Sequence, residues 1–192
     1  MSKKKDRTRR WTILAGVFKG HFSSKKKLVG AEVGVFKGDF SKRILELVPK
    51  IQLLHGVDPY KDFSQEVYRC RRSKTWNQQQ WEDLYKDMCA RLEPHIRSGR
   101  FKIYRTTSKK ALAYIEQPLD FVFIDGNHSY EYVKQDIKLW EPKVVSGGIV
   151  SGHDYGSGFH TGVQKAVDEY AAKHGRTVKY DLRDGVWWWV KP

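Results

Sequence analysis

Residues 119–156, LDFVFIDGNHSYEYVKQDIKLWEPKVVSGGIVSGHDYG, leave this chain few folds to choose from. An apolar run from Phe121 to Ile124 ends on Asp125, and a segment of helical period follows. Gly147-Gly148 then lead into a second apolar run, Ile149-Val150, which closes on His153-Asp154. Short apolar runs separated by a helix-length segment predict two parallel strands joined by a crossover helix. In open sheets of this kind ligands sit beyond the carboxyl ends of the strands. Both ends here carry groups that can hold a proton or a metal.

The rest of the chain repeats the pattern. Trp11, Leu14, Val17 and Phe18 predict a short amphipathic helix over Trp11–Phe22. A strand is expected at 28–34, a helix over Phe40–Val48 and a second strand at 51–60, closed by Asp58-Pro59. Residues 61–75 show no period, and Trp81, Leu84, Tyr85, Met88 and Leu92 then predict a helix from Trp76 to about Pro94. An insertion this long, 61–99, reads as a lid or a substrate-side wall. A third strand (100–106), a short helix, a fourth strand (119–125), a helix (130–140), a fifth strand (148–153) and a helix (161–174) follow. Residues 178–182 alternate apolar and polar, and Asp184-Gly185 turns them into Val186–Val190, a hairpin signal. The expected fold class is α/β: a mostly parallel sheet whose last strand is antiparallel. In the closing Trp triplet, Trp187 and Trp189 should share one face and Trp188 the other.

Composition narrows the class. With 192 residues, 40% hydrophobic, the chain reads as one globular domain at 11–192 behind a basic disordered tail at 1–10. Cys70 and Cys89 give neither a disulfide framework nor paired metal spacing, and no apolar run approaches membrane-spanning length, so the expectation is a cytoplasmic protein with no membrane partner. The net charge of +14 is concentrated at the N-terminus, at 25–27 and at 69–74. Such a field attracts nucleic acid or acidic ligands, yet also suits a solvated surface, so nucleic acid is an open but not favoured partner.

The first strand runs into GAEVGVFKG, where Gly30, Gly34 and Gly38 stand four apart around Glu32. A glycine-rich turn between strand and helix lets backbone approach a ligand. The spacing matches neither the dinucleotide fingerprint nor the P-loop. Asp58, at the end of the second strand, is placed to accept the hydroxyls of a ribose. Together, loop and acid point to a nucleoside-type cofactor without a phosphate cradle.

EVGVFKG, GVDPY, FIDGNHSYEYVKQDIKLW and GGIVSGHDY, in this order, resemble the class I S-adenosylmethionine-dependent methyltransferases over residues 28–190. Within them the chain is most similar to the small-molecule O-methyltransferases of the catechol and macrocin types. The resemblance implies a Rossmann-like three-layer sandwich with seven strands, S-adenosyl-L-methionine as cofactor and a small-molecule acceptor. It places Glu32, Gly34 and Gly38 along the methionine and ribose, Asp58 on the ribose hydroxyls, Thr107-Ser108 by the adenine, and Asp125 at the reaction centre.

The resemblance also implies a divalent cation (Mg, Mn or Fe), held in metal-dependent members by acids ending the fourth and fifth strands. Asp125, His153 and Asp154 fill those positions here, with His153 in place of an acid and His128 where a Lys base often stands. Three readings stay open: a metal set of Asp125, His153 and Asp154; a metal-free site with His128 or His153 as base, oriented by Asp125 or Asp154; and a structural role, with Asp125 capping the helix near Ser129. His160 and Asp136 are weaker candidates. Aromatics for a planar acceptor are Trp11, Phe18, Tyr68, Trp76 and Trp81, although helical spacing favours packing for them.

Two other functions compete. A nucleic-acid methyltransferase accounts for the charge, but the Asp-Pro-Pro-Tyr and Pro-Cys signatures and a Lys-Asp-Lys-Glu tetrad are not evident. A non-catalytic cofactor-fold protein is the second, with homo-oligomerisation left open. A nicotinamide dehydrogenase is disfavoured by the glycine spacing.

Overall fold

A computed structural model describes residues 9–61 and 76–192. Seven strands form one sheet: β1 (Leu28–Val33), β2 (Ile51–Val57), β3 (Phe101–Tyr104), β4 (Leu119–Ile124), β5 (Val144–Gly152), β6 (Lys179–Asp181) and β7 (Val186–Val190). Their order is β3-β2-β1-β4-β5-β7-β6. β1 to β5 pair in parallel, and β7 lies antiparallel between β5 and β6. The chain moves outward one way from β1 and the other way from β4, so the topological switch point lies between these two central strands.

The parallel strands are buried on both faces, and this makes them near-continuous apolar runs. On one face lie α1 (Arg10–His21), α2 (Asp39–Leu47) and α3 (Gln78–Arg97). Phe18 of α1 meets Phe121 at 4.5 Å between ring centroids, and Phe40 of α2 stacks on Phe123 at 3.9 Å. On the other face lie α4 (Ser108–Ala111), α5 (Tyr130–Trp140) and α6 (Thr161–His174). Trp187 and Trp189 face this second layer, stacked at 5.0 Å, and Trp188 faces the first, as the alternation predicts.

Several boundaries differ from the sequence reading; β2, for instance, ends at Val57 rather than at residue 60. Arg10 belongs to α1 rather than to the tail: Arg9 takes the N-cap position, and the backbone N–H of Arg10 donates to Asp184 Oδ2 at 2.7 Å. This partner is 174 residues away, so the local sequence could not show it. α3 runs past Pro94 to Arg97 behind a capping box built by Asn77 and Gln80. A proline there removes one bond to the preceding turn, and with a single turn left the helix continues. β5 begins at Val144, four residues before the expected start at 148, with a register irregularity opposite Leu119–Phe121. Tyr68 and Cys70 lie outside the described residues. No helix among the described residues is long and apolar enough to cross a membrane.

Candidate active site

The ends of β1, β2, β4 and β5 meet at one edge of the sheet, and their contacts are made by backbone. Asp125 N–H donates to Val33 O at 2.8 Å, and His153 N–H donates to Ile124 O at 3.1 Å. Gly34 follows β1 at φ +91, and a Cβ there would lie 2.3 Å from the carbonyl oxygen of Asp125. This edge of the switch point is therefore floored by backbone with no side chain between the two loops. Gly38 has a different duty. It opens α2 in the left-handed region, and a Cβ would press Leu92 of α3 at 2.9 Å.

Asp58 is buried and organises the β1 loop. Its Oδ2 accepts the N–H groups of Val35 (3.1 Å) and Phe36 (2.9 Å), and its Oδ1 accepts that of Tyr60 (2.9 Å). Phe36 and Tyr60 both sit at positive φ, +50 and +44, and Tyr60 Oη donates to Phe36 O at 2.8 Å. Such backbone is costly outside glycine and persists only where surroundings impose it. Burial raises the Asp58 carboxyl above the ordinary range, and the three N–H groups oppose the rise. Glu32, deeper in β1, accepts from Ser41 Oγ, and burial pushes its carboxyl well up despite that bond. Thr107 and Ser108 open α4 after β3. The Ser108 hydroxyl turns into the helical layer, donating to Asp136 at 2.5 Å and accepting from Trp140 Nε1 at 2.7 Å. Asp136 is thus a buried partner of α4.

The polar cluster forms at the ends of β4 and β5. His128 Nε2 lies 3.0 Å from Asp154 Oδ2 and 3.5 Å from Asp125 Oδ1. His153 Nδ1 lies 3.2 Å from Asp154 Oδ2 and 3.6 Å from Asp125 Oδ1. Asp125 does not cap α5; that turn is closed by Asn127 Oδ1, which accepts from Ser129 N–H at 2.9 Å. Asp154 stands at φ +61, a third strained non-glycine residue in the same region. His160 comes close as well, its ring 4.4 Å from that of His128. Two groups bring ligand atoms within 4.8 Å of one another: Asp125, His153 and Asp154, and His128, Asp154 and His160.

Two residues of the cluster were not legible from the sequence. Arg10 Nε lies 3.5 Å from Asp125 Oδ2, and its Nη1 lies 3.4 and 3.3 Å from the two ring nitrogens of His153. Asp184, read only as a turn residue, lies 3.8 Å from His153 Nε2 and accepts the Arg10 N–H. Arg10 and Asp184 are 174 residues apart, so no local spacing could signal the pair.

The charges set one another. Burial pushes Asp125 up, but Arg10, His153 and His128 outweigh it and hold the carboxyl at about 2. Burial disfavours a charged His153, yet Asp125, Asp154 and Asp184 raise it to about 10. His128 is raised by Asp125 and Asp154 against its own burial. His153 is accordingly an imidazolium at neutral pH, a donor rather than a base.

The sequence-predicted aromatics divide. Phe18 and Trp81 are buried in the core. Trp76 is half-buried and stacks on Phe36 of the β1 loop at 5.8 Å, and Trp11 packs at the edge of the first layer.

A family model described as a methyltransferase domain matches residues 31–155, from inside β1 through this cluster. The chain belongs to that family. The reading as a class I methyltransferase of Rossmann-like fold is borne out at the level of family and fold. The O-methyltransferase NovP shares the fold with a TM-score of 0.70 at 18% identity, covering 95% of this chain and 79% of that one. An rRNA methylase from Streptococcus thermophilus superposes with a TM-score of 0.61 at 10% identity, covering 96% and 97%. Among curated proteins, the uncharacterized protein y4gI of Sinorhizobium fredii (strain NBRC 101917 / NGR234) is 34% identical over 74 residues, 38% of this chain. The chain spans 8% of the length of that relative.

Proposed function

We propose that this methyltransferase domain uses S-adenosylmethionine to methylate a hydroxyl of a small-molecule acceptor. The observation that carries the reading is His128, held between Asp125 and Asp154 beside the switch-point crevice. The acceptor oxygen attacks the sulfonium methyl, the carbon–sulfur bond breaks, and S-adenosylhomocysteine leaves as a neutral thioether. The hydroxyl proton passes to His128, whose imidazolium the two carboxylates then stabilise. Alignment of the oxygen with the carbon–sulfur bond is the larger part of the task.

The residues present fit the cofactor. Glu32 and Gly34 border the crevice where the methionine end would lie. Asp58 has about four lone-pair directions, and the backbone uses three of them. One stays available to a ribose hydroxyl, so Asp58 both shapes the loop and binds. Thr107 and the backbone of Ser108 would border the adenine, since the Ser108 side chain is engaged elsewhere. Trp76 on Phe36 offers an aromatic wall on the same side.

A nucleic-acid acceptor is the second reading, favoured by the net charge of +14 and by the fold shared with an rRNA methylase. Calorimetry with S-adenosylhomocysteine tests the cofactor, and a methyl-labelled assay over phenols, sugars and RNA oligomers tests the acceptor. Micromolar binding and label on a small hydroxyl are the expected results. Label on RNA alone would shift the reading to the second, and no binding would sink both.

A further inference from the structure

The divalent cation implied by the resemblance does not fit the cluster as it is built. Asp125, His153 and Asp154 are close enough to share an ion. A positive charge already stands among them. The Arg10 guanidinium lies 3.5 Å from Asp125 and 3.3 Å from His153, in contact with two of the three would-be ligands. Its Nε is buried and, among the described residues, makes no hydrogen bond, so it faces Asp125 as an ion pair. A guanidinium cannot shed its proton to make room for a metal.

The rest of α1 holds Arg10 in place. The Arg10 N–H is tied to Asp184 at the hairpin tip, and Tyr155 N–H donates to Gly185 O at 2.9 Å, fastening that tip to the loop after β5. About one and two turns further along, Leu14 and Phe18 are fully buried. The N-terminal helix thus delivers a cation to the ends of β4 and β5 from outside the residues that the family model matches.

We propose that Arg10 is the resident cation of this cluster, standing where a divalent ion would otherwise bind and positioning Asp125 without one. The inference shares its site with the methyl-transfer reading, but its test does not depend on that reading. Full-length, chelator-treated protein is titrated with Mn²⁺, and free ion is read by electron paramagnetic resonance. The wild type should show no Mn²⁺ site that depends on Asp125. Arg10→Ala, or Arg10→Met should the shorter side chain loosen α1, should gain one site at least tenfold tighter. Adding Asp125→Asn should abolish the gain, and Arg10→Lys, which restores a charge, should prevent it.

A tight wild-type site lost in Asp125→Asn would overturn the proposal, and so would folded Arg10→Ala and Arg10→Met proteins that gain nothing. A purely structural arginine would not create metal affinity when removed. Calorimetry with S-adenosylhomocysteine on the same samples separates the two ideas. Absent cofactor binding with the gained Mn²⁺ site would sink methyl transfer and leave the resident cation standing.

Discussion

His128 and Asp58 occupy strand-end loops of the same sheet edge, yet their surroundings give them separable roles. His128 touches the carboxylates at the ends of β4 and β5, whereas the loop after β1 is held by Asp58. His128→Ala should therefore leave S-adenosylhomocysteine affinity within about twofold and lower turnover by roughly 10²- to 10⁴-fold, the usual worth of a positioned base. Asp58 holds three N–H groups of two strained turns. Asp58→Asn turns one acceptor into a donor facing an N–H, so cofactor affinity should fall at least about tenfold and stability by about 1–3 kcal/mol. Calorimetry and thermal melts on both variants check the contrast, and equal loss of binding in the two would count against it. Asp136 gives a pH signature at the same scale. Burial raises its carboxyl to about 6, against a weaker opposing bond from Ser108. A raised acid favours the folded state below its ordinary value near 3.8 and loses that contribution as pH climbs through about 6. Asp136→Asn keeps an acceptor for Ser108 and removes the charge. It should stabilise the protein at pH 7.5 by on the order of 2 kcal/mol, with little gain at pH 4. Denaturant melts at the two values decide it.

At the scale of elements, the switch point depends on how closely the loops after β1 and β4 approach. A Cβ at Gly34 would stand 2.3 Å from a carbonyl oxygen and 2.6 Å from the Cα of Gly126, at a φ that side chains avoid. Gly34→Ala should cost more than about 2 kcal/mol. Gly126→Ala, whose nearest contact would be 3.7 Å, should change stability by less than about 1 kcal/mol. Melts of the two neighbours, side by side, test whether this edge is set by backbone contact. These elements were readable because their signals are local. Buried apolar runs mark β1 and β4, helical period marks α5 and α6, and Asp184-Gly185 marks the hairpin. Asp125, His128, His153 and Asp154 were readable for a related reason: parallel strands end at a ligand edge, and each of these residues follows one. What stayed hidden was made by distant partners. Arg10 enters the cluster because α1 docks on β4 through Phe18, and the Ser108 side chain turns into the helical layer because Asp136 and Trp140 lie across from it. The strain at Phe36, Tyr60 and Asp154 likewise has no local signature beyond the tolerance of Asp for such backbone.

Across the whole molecule, the charge and the site point to different partners. The net charge is +14, and Lys25, Lys26, Lys27, Lys109 and Lys110 are exposed. The candidate site carries both signs instead, with Arg10 and His153 set against Asp125, Asp154 and Asp184. A phosphate backbone would be drawn to the surface by counterion release, a force that fades steeply with salt. A small neutral acceptor bound at the site would feel little of it, because short-range contacts among buried groups are weakly screened. RNA oligomers should therefore bind, and lose at least about tenfold in affinity between 50 and 200 mM salt. Transfer of methyl to a small hydroxyl should change its kcat/KM by less than about twofold over the same range. If turnover on the small acceptor instead followed the RNA slope, the surface and the site would be acting on one substrate. The basic field would then belong to the reaction, and a polyanionic acceptor would replace the small one.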